Sequence, residues 1–370
     1  MRVAIVHYWL VNHRGGESVL EALCRMIPGA DLFTLFYEPS RVSPTIRAQR
    51  IQASFLNPLR RWYRALLPLM PLALEQFDLS GYDLVISQES GPAKGVLVPS
   101  GARHVCYCHT PMRYLWDLYP VYLREWTPAW KRPLMAPLAS WLRLWDYATA
   151  QRVDEFVASS GNASKRIWRS YRRESQIIHP PVAVETFFHK PAEDYFLIVS
   201  ELVPYKRIDY AVRLFSRSGR KLRIVGAGPE YANLKRLARA NVEFCGRVPD
   251  DELRELYARC RAFLMPGEED FGITTVEALA SGKAVIALGR GGALETAPRR
   301  DPLGGVFYDE PTEAELESAV ARFESIEPVV EEEELRRYAA RFSETEFRAK
   351  MGHVLGLPGV PSGEHLGQRA

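Results

Sequence analysis

The 370-residue sequence predicts an α/β protein built from two Rossmann-like, doubly wound parallel sheets. Three observations carry that expectation. The length accommodates two domains of ordinary size. In both halves, short apolar runs alternate with segments of helical periodicity. Between the halves, His179-Pro180-Pro181-Val182 places two prolines where neither helix nor strand can continue easily.

The elements follow in order. Residues 3–6 (Val-Ala-Ile-Val) read as a buried strand. A polar loop follows, Asn12-His13-Arg14-Gly15-Gly16, and then a helix over 17–26 with Val19, Leu20, Leu23 and Met26 on one stripe. Strands are expected at 32–36, 84–86, 104–108 and 155–158. The second half begins with a strand at 195–199 and a helix from 209 to 216. A strand at 222–225 runs into Gly226-Ala227-Gly228-Pro229. Another covers 242–245, followed by a helix over 250–259. Strands at 262–265 and 284–287 bracket a helix at 274–280. The expected domains are 1–180, 181–345, and 346–370 as a C-terminal helix and loose tail able to cross back to the first lobe.

Composition narrows the class. With 47% hydrophobic and 25% charged residues, the chain has the material for two soluble cores. Charge is uneven: residues 1–180 hold 22 Lys+Arg against 14 Asp+Glu, net +8, whereas 181–370 hold 26 against 31, net −5. The two halves therefore suit different partners, but the whole is not basic enough for a nucleic-acid binder. Cys24, Cys106, Cys108, Cys245 and Cys260 lack metal-ligand spacing, and a reduced, cytoplasmic setting is expected. The first residues enter a strand at once, so no signal peptide is expected before the fold. The apolar run 65–74 is broken by Pro68 and Pro71 and falls well short of the ~20 residues a membrane span needs.

The densest chemical signal is Pro266-Gly267-Glu268-Glu269-Asp270-Phe271-Gly272-Ile273-Thr274-Thr275-Val276-Glu277-Ala278. It follows a strand and opens a helix, so the first-turn N–H groups, helped by Gly272, form an anion site suited to a diphosphate. Glu269 in the loop and Glu277 in the helix can each accept hydrogen bonds from vicinal hydroxyls, one on a sugar and one on a ribose. The plainer reading is acidic residues complementing a helix N-terminus. Lys206 and Arg207, after the first strand of the second half, can neutralise a departing diphosphate, or form a solvated basic turn. Gly226-Ala227-Gly228 is too short for the dinucleotide fingerprint.

Taken together, these stretches resemble the family-four retaining glycosyltransferases. The likeness runs from Gly15-Gly16 and Tyr107-Cys108-His109-Thr110-Pro111-Met112-Arg113 through Leu202-Val203-Pro204-Tyr205-Lys206-Arg207. It includes the Glu269/Glu277 pair with Phe271-Gly272 between them, then Ala278-x-Ala280-x-Gly282, and ends at Gly289-Arg290-Gly291-Gly292-Ala293-Leu294-Glu295. Within the family it is similar to the bacterial branch holding O-antigen and exopolysaccharide mannosyltransferases.

The resemblance implies a GT-B fold and a hexosyltransferase that uses a nucleotide-sugar donor. Mannose from GDP-mannose is the first candidate donor, and a glycan or lipid-linked glycan of a bacterial surface polysaccharide is the acceptor. It implies catalytic roles for His109, Glu269, Lys206 and Arg207, with neither metal nor cofactor. Around the donor it places Gly15, Gly16, the backbone of Phe271, Gly272 and Ile273, and Thr274 and Thr275 at the diphosphate. Glu277 would bind the ribose, and Arg247 and Val248 the base. Arg113 and Asp117 would shape the acceptor side. One departure stands out. The family usually carries an Arg on the diphosphate at the position of Glu201; here either Arg207 takes that role or Glu201 does something else.

Two further stretches mix Arg, Trp and Leu, at 56–74 and 122–147; the second holds Trp126, Trp130, Lys131, Arg132 and Arg143. Leu134, Leu138, Trp141, Leu142 and Trp145 fall on one helical stripe. Such segments suit peripheral docking on an anionic bilayer, at the inner face of the plasma membrane, or simply face a core. Alternatives remain open: a UDP- or GDP-hexose donor with a soluble acceptor, a nucleotide-sugar epimerase or phosphorylase, or a non-catalytic nucleotide-sugar binder.

Overall fold

A computed structural model describes residues 1–12, 15–299 and 304–357. His13 and Arg14 of the glycine loop, the Trp126 side chain and the tail from residue 358 lie outside the described residues. The chain divides into one unit of Met1–His179 with Phe347–Ala370, and a second of Pro180–Glu346.

The first unit is a seven-stranded sheet in the order β3-β2-β1-β4-β5-β6-β7, every pair parallel. Its strands are β1 (Val3–His7), β2 (Asp31–Thr34), β3 (Arg50–Ala53), β4 (Leu84–Glu89), β5 (Arg103–Cys108), β6 (Glu155–Ala158) and β7 (Gln176–Ile177). Every residue of β1 is buried, as a continuous apolar run in a two-faced sheet requires. Helix α1 (Gly15–Met26) starts at the glycine pair itself and buries Val19, Leu20 and Leu23 against β1 and β2. Strand β3 escapes a reading by hydrophobicity because it is an edge strand whose residues are at best half-buried. Strand β7 has two exposed residues and carries even less signal.

Helix α2 (Arg132–Ala150) corrects the single stripe expected there. Leu142 is buried, and Leu138 and Trp145 pack with it on Met112, Leu115 and Ala139. Leu134 and Trp141 instead stand in solvent, with Trp130 just before the helix and Leu144 on it. The helix thus carries two apolar faces of which only one is covered.

The covered side is fixed by a buried ion pair. Lys94 and Asp146 are both fully buried and bonded to each other. Trp116 Nε1 (2.7 Å) and Tyr171 Oη (2.9 Å) donate to the second carboxylate oxygen. The lysine also lies over the Tyr171 ring. Tyr171 ends α3 (Gly161–Tyr171), whose Ser160 caps it by accepting from Ala163 N–H.

The second unit has six parallel strands in the order β10-β9-β8-β11-β12-β13. They are β8 (Phe196–Val199), β9 (Leu222–Val225), β10 (Val242–Gly246), β11 (Ala262–Met265), β12 (Ala284–Leu288) and β13 (Gly305–Tyr308). Helices α4 (Ile208–Ser218), α5 (Tyr231–Leu237), α6 (Asp250–Arg259), α7 (Ile273–Ala280), α8 (Glu313–Ile326) and α9 (Glu332–Ala340) belong to it. Two apolar clusters, one built around Phe196, Phe215 and Phe323 and the other around Phe263, Val276 and Phe342, fill its interior. Helix α10 (Glu344–Leu355) begins in this unit, but from Phe347 onward it completes the core of the first. Both halves are therefore doubly wound parallel sheets, each with a reversal of strand order: between β1 and β4, and between β8 and β11.

Candidate functional site

In open parallel sheets a crevice forms beyond the carboxyl ends of strands where the order reverses, and ligands bind there. The sequence signals gather at these two places.

In the second unit, β8 runs into a turn (Pro204–Lys206) and β11 into the loop 266–272. Gly267 lets the two approach: a Cβ there would lie 2.6 Å from the Lys206 carbonyl oxygen. Gly292 does the same on the loop's other side, where a Cβ would sit 2.3 Å from the Phe271 oxygen, and its N–H donates to the Glu269 carbonyl (2.8 Å). Held in this way, Glu269 forms an ion pair with Lys206, both side chains largely buried. Ser200, Lys206, Gly267, Glu269 and Thr274 line one small cavity.

Helix α7 opens at Gly272, whose φ of +90° only glycine adopts without strain. Ile273 and Thr274 supply the first-turn N–H groups, which have no acceptor within a helix. Thr275 departs from its expected contact with a diphosphate. Its side chain is fully buried, Oγ1 donates to Met265 Sδ at 3.3 Å, and its N–H is bonded to the Gly272 carbonyl. The helical turn that exposes Thr274 points its neighbour inward. The Phe271 side chain likewise packs in the core against Phe342, leaving only its backbone to the loop.

Glu277 is half-buried on the side of α7 that faces α6. Tyr257 Oη donates to it at 2.8 Å. Burial pushes its pKa up from 4.5 to about 7, against the downward pull of that hydrogen bond. Tyr257 is a hydrogen-bond partner of Glu277 that sequence reasoning missed; twenty residues before Glu277, in an amphipathic helix, it looks like any core tyrosine. Val248 packs in the same cluster as Val276, while Arg247 is exposed.

Arg207 is separated from Lys206 in environment. It takes a left-handed conformation (φ +51°) at the start of α4. Its guanidinium lies 4.0 Å above the Tyr210 ring and 3.5 Å from Asp209. Glu201, where the resemblance expects an arginine, is exposed, and its carbonyl accepts from Val203 N–H.

In the first unit, β1, β4 and β5 end side by side. The register sets His7 against Gln88, and His109 follows the end of β5. His7 Nδ1 meets Gln88 Oε1 at 3.1 Å, and Gln88 Nε2 lies 2.8 Å from His109 Nε2 and 2.5 Å from the Gly16 carbonyl oxygen. His7 Nε2 faces Glu17 Oε1 at 3.5 Å, both side chains buried. Burial, then the nearby His7, push the His109 pKa down to about 4, with Glu17 opposing. Gly16 and His109 are thus brought together: a Cβ on Gly16 would lie 3.8 Å from the imidazole. His7, Glu17 and Gln88 were not anticipated; polar residues closing three adjacent apolar strands were the available signal. Arg113 and Asp117 form an ion pair that also takes in Arg166. Among the described residues no group of three or more His, Cys, Asp or Glu side chains could hold a metal ion, and no helix is long and apolar enough to cross a membrane.

Comparison with known proteins agrees with this architecture. A model described as Glycosyltransferase Family 4 matches residues 13–186, and one described as Glycosyl transferases group 1 matches residues 185–342. The chain is 30% identical over 155 residues to a D-rhamnosyltransferase of Pseudomonas aeruginosa, covering 36% of this chain and 41% of that one. It is 29% identical over 154 residues to the O-antigen chain mannosyltransferase C of Escherichia coli (36% and 42%). It is 24% identical over 196 residues to an uncharacterised glycosyltransferase of Methanocaldococcus jannaschii (52% and 53%). The matches therefore span about half or less of these relatives' lengths.

Solved structures match over nearly the whole chain. A sucrose-phosphate synthase of Thermosynechococcus elongatus superposes with a TM-score of 0.70 at 16% identity, covering 96% of this chain and 98% of that one. Anabaena HepE in complex with UDP and glucose gives 0.69 at 14% identity (96% and 100%). These likenesses fix the fold as GT-B. With one family model on each unit and the fold shared end to end, the chain belongs to the GT-B glycosyltransferases of family four and group one.

Proposed function

We propose that the protein transfers a hexose from a nucleotide sugar to a glycan acceptor with retention of configuration. The observation that carries the reading is the Lys206–Glu269 pair beside the start of α7. The pair sets a cation and a carboxylate beside Thr274 in the first turn of α7. Such a set suits a sugar diphosphate: the carboxylate accepts from sugar hydroxyls while the lysine and the N–H groups oppose the phosphate charge. Glu277, further along α7, takes the ribose hydroxyls.

In the reaction, the bond from the anomeric carbon to the diphosphate oxygen breaks as the acceptor oxygen bonds to that carbon on the same face. The acceptor proton passes to the departing diphosphate. Lys206 and the helix-start amides stabilise the charge that develops there, so no metal is required of the protein. Mannose from GDP-mannose is the first donor to try, given the similarity to an O-antigen mannosyltransferase; UDP-glucose is the second, because a GT-B neighbour of the same fold carries UDP and glucose.

The acceptor proposed is a lipid-linked glycan at a membrane surface. Trp130 (78% exposed), Leu134 (74%), Leu144 (68%) and Trp141 (47%) stand in solvent beside the exposed Lys131 and Arg132, a composition that suits an anionic interface. The test is incubation of radiolabelled GDP-mannose or UDP-glucose with lipid extract, in EDTA. Label in lipid supports the reading. Donor binding without transfer to any glycan or lipid acceptor refutes it. Co-sedimentation with phosphatidylglycerol vesicles, lost in a Trp130→Ser/Leu134→Ser/Leu144→Ser variant, tests the membrane part separately.

A further inference from the structure

We propose that Gln88 is a positioning residue: it fixes His109 as the Nδ1–H tautomer and fastens the Gly16 carbonyl, so that the ring and the start of α1 are held as one part. The proposal rests on the catalytic role that the resemblance implies for His109, but its structural half stands within the first unit alone.

A backbone carbonyl can only accept, so the Gln88 atom 2.5 Å from the Gly16 oxygen must be the NH₂. That settles the orientation of the amide. The same NH₂ lies 2.8 Å from His109 Nε2, and its second hydrogen can be donated only to a nitrogen that carries none. His109 Nε2 is therefore bare, and in the neutral ring the proton sits on Nδ1. The amide oxygen faces His7 Nδ1 at 3.1 Å and requires a hydrogen there. The Gly16 carbonyl thus dictates, through Gln88, the tautomer of the neutral His109 ring and a hydrogen on His7 Nδ1.

Strand register enforces the arrangement. His7 and Gln88 are direct partners across β1 and β4, and Gln88 pairs with Tyr107, two residues before His109, across β4 and β5. The Gln88 side chain is fully buried, so water does not compete for its hydrogens. Among the described residues, the titratable groups around the His109 ring are His7 from β1, Glu17 from α1 and Tyr107 from its own strand, which meets it edge-on. A ring whose pKa is pushed down to about 4 is neutral at ordinary pH, in keeping with the bare Nε2. The consequence for chemistry is definite. His109 can act as a neutral N–H donor and not as a general base, because its one basic nitrogen is already occupied by Gln88.

The experiment compares wild type with Gln88→Glu and Gln88→Met, reading ¹⁵N shifts of the His109 ring, identified by their absence in His109→Ala. Circular dichroism confirms that each variant is folded. In wild type the ring should stay in the Nδ1–H form down to about pH 5. A carboxylate at position 88 offers no hydrogen, so in Gln88→Glu the Nε2 should gain one and the titration should move up by at least one pH unit. Turnover should fall roughly 10- to 100-fold in both variants, the scale of losing a partner that orients a functional imidazole. Nucleotide affinity, which depends on Glu277 and the second unit, should not change.

An unaltered tautomer and titration in both variants would overturn the proposal. So would a switched tautomer with wild-type turnover. Wild-type turnover by His109→Ala would instead remove the catalytic role of His109, while the ring shifts would still decide what Gln88 does to it.

Discussion

Replacing Glu277 by Gln should make the ligand-free protein more stable at alkaline pH and leave it unchanged in acid. The carboxyl is held at about pH 7 against an ordinary 4.5, chiefly by burial, with the Tyr257 hydrogen bond pulling the other way. Each pH unit corresponds to about 1.4 kcal/mol, so the full cost of ionising it in the fold is up to ~3 kcal/mol. Because the side chain keeps some solvent, about 1–2 kcal/mol is the figure to expect.

The sign follows from the raised pKa. The contribution of Glu277 is intact below about pH 4.5 and is lost as pH rises through about 7. Gln carries no charge, can still accept from Tyr257 and should escape that loss. For a unit of this size the gain amounts to a melting point higher by roughly 2–8 °C at pH 8.5, and no difference at pH 4.5. Scanning calorimetry across that range measures it. The same carboxylate should bind nucleotide better as pH rises through 7, when it is charged; titration calorimetry should show that dependence in wild type and not in Glu277→Gln. A variant no more stable than wild type at pH 8.5 would refute the account of Glu277 as a charge kept costly for a ligand.

If the ion-paired Glu269 and Lys206 serve the donor as proposed, Glu269→Ala and Lys206→Ala should each abolish transfer; near-normal turnover in a donor assay would remove both from the mechanism. Arg207→Ala should lower turnover roughly 10²-fold if its guanidinium swings from Tyr210 to the diphosphate, on the scale of a lost charge-stabilising contact, and wild-type rates would leave Lys206 as the only lysine or arginine on the diphosphate from this turn. Asp146→Ala should destabilise the first unit by about 3–5 kcal/mol in urea unfolding, because it strands a buried lysine, and Lys94→Met/Asp146→Leu should recover most of the loss; equal stability of the single and double variants would contradict the buried-pair account.

The strands at the centre of each sheet were legible because burial on both faces leaves an unbroken apolar run: β1, β11 and β12 are buried at every residue. The edges of the first sheet were not, because Arg50–Ala53 pairs through its backbone and has no apolar run, and Gln176–Ile177 is two exposed residues. Helices α8 and α9 were passed over for another reason. Thr312 does cap α8, but the charged runs that follow it conceal a stripe as sparse as Leu316, Ala319, Val320 and Phe323. In the site, Glu269, Lys206 and Glu277 lie on short segments whose type and spacing announce them. Gln88, His7 and Tyr257 do not, because their meaning lies in partners brought in by register from 20 or more residues away. Thr275 was misjudged because a hydroxyl beside a helix start reads the same whether it turns toward a ligand or toward Met265. The stripe on α2 misled in the opposite way, since one helix carries a buried and an uncovered apolar face a few residues apart.

The passage of α10 into the first unit has a consequence for how the protein is made. Phe347, Met351, Val354 and Leu355 sit in the same core as β1 and α1, and Arg103 donates to the Val354 carbonyl at 2.6 Å. At roughly 1.5–3 kcal/mol for each buried side chain, their absence would remove about 6–12 kcal/mol, as much as a domain's entire stability. The half that leaves the ribosome first therefore cannot close until residues made some 170 positions later arrive. Until then its unfinished face is sticky, and a gene cut after His179 should yield insoluble protein where the second unit, whose core is drawn from one continuous stretch, can fold as soon as it is released.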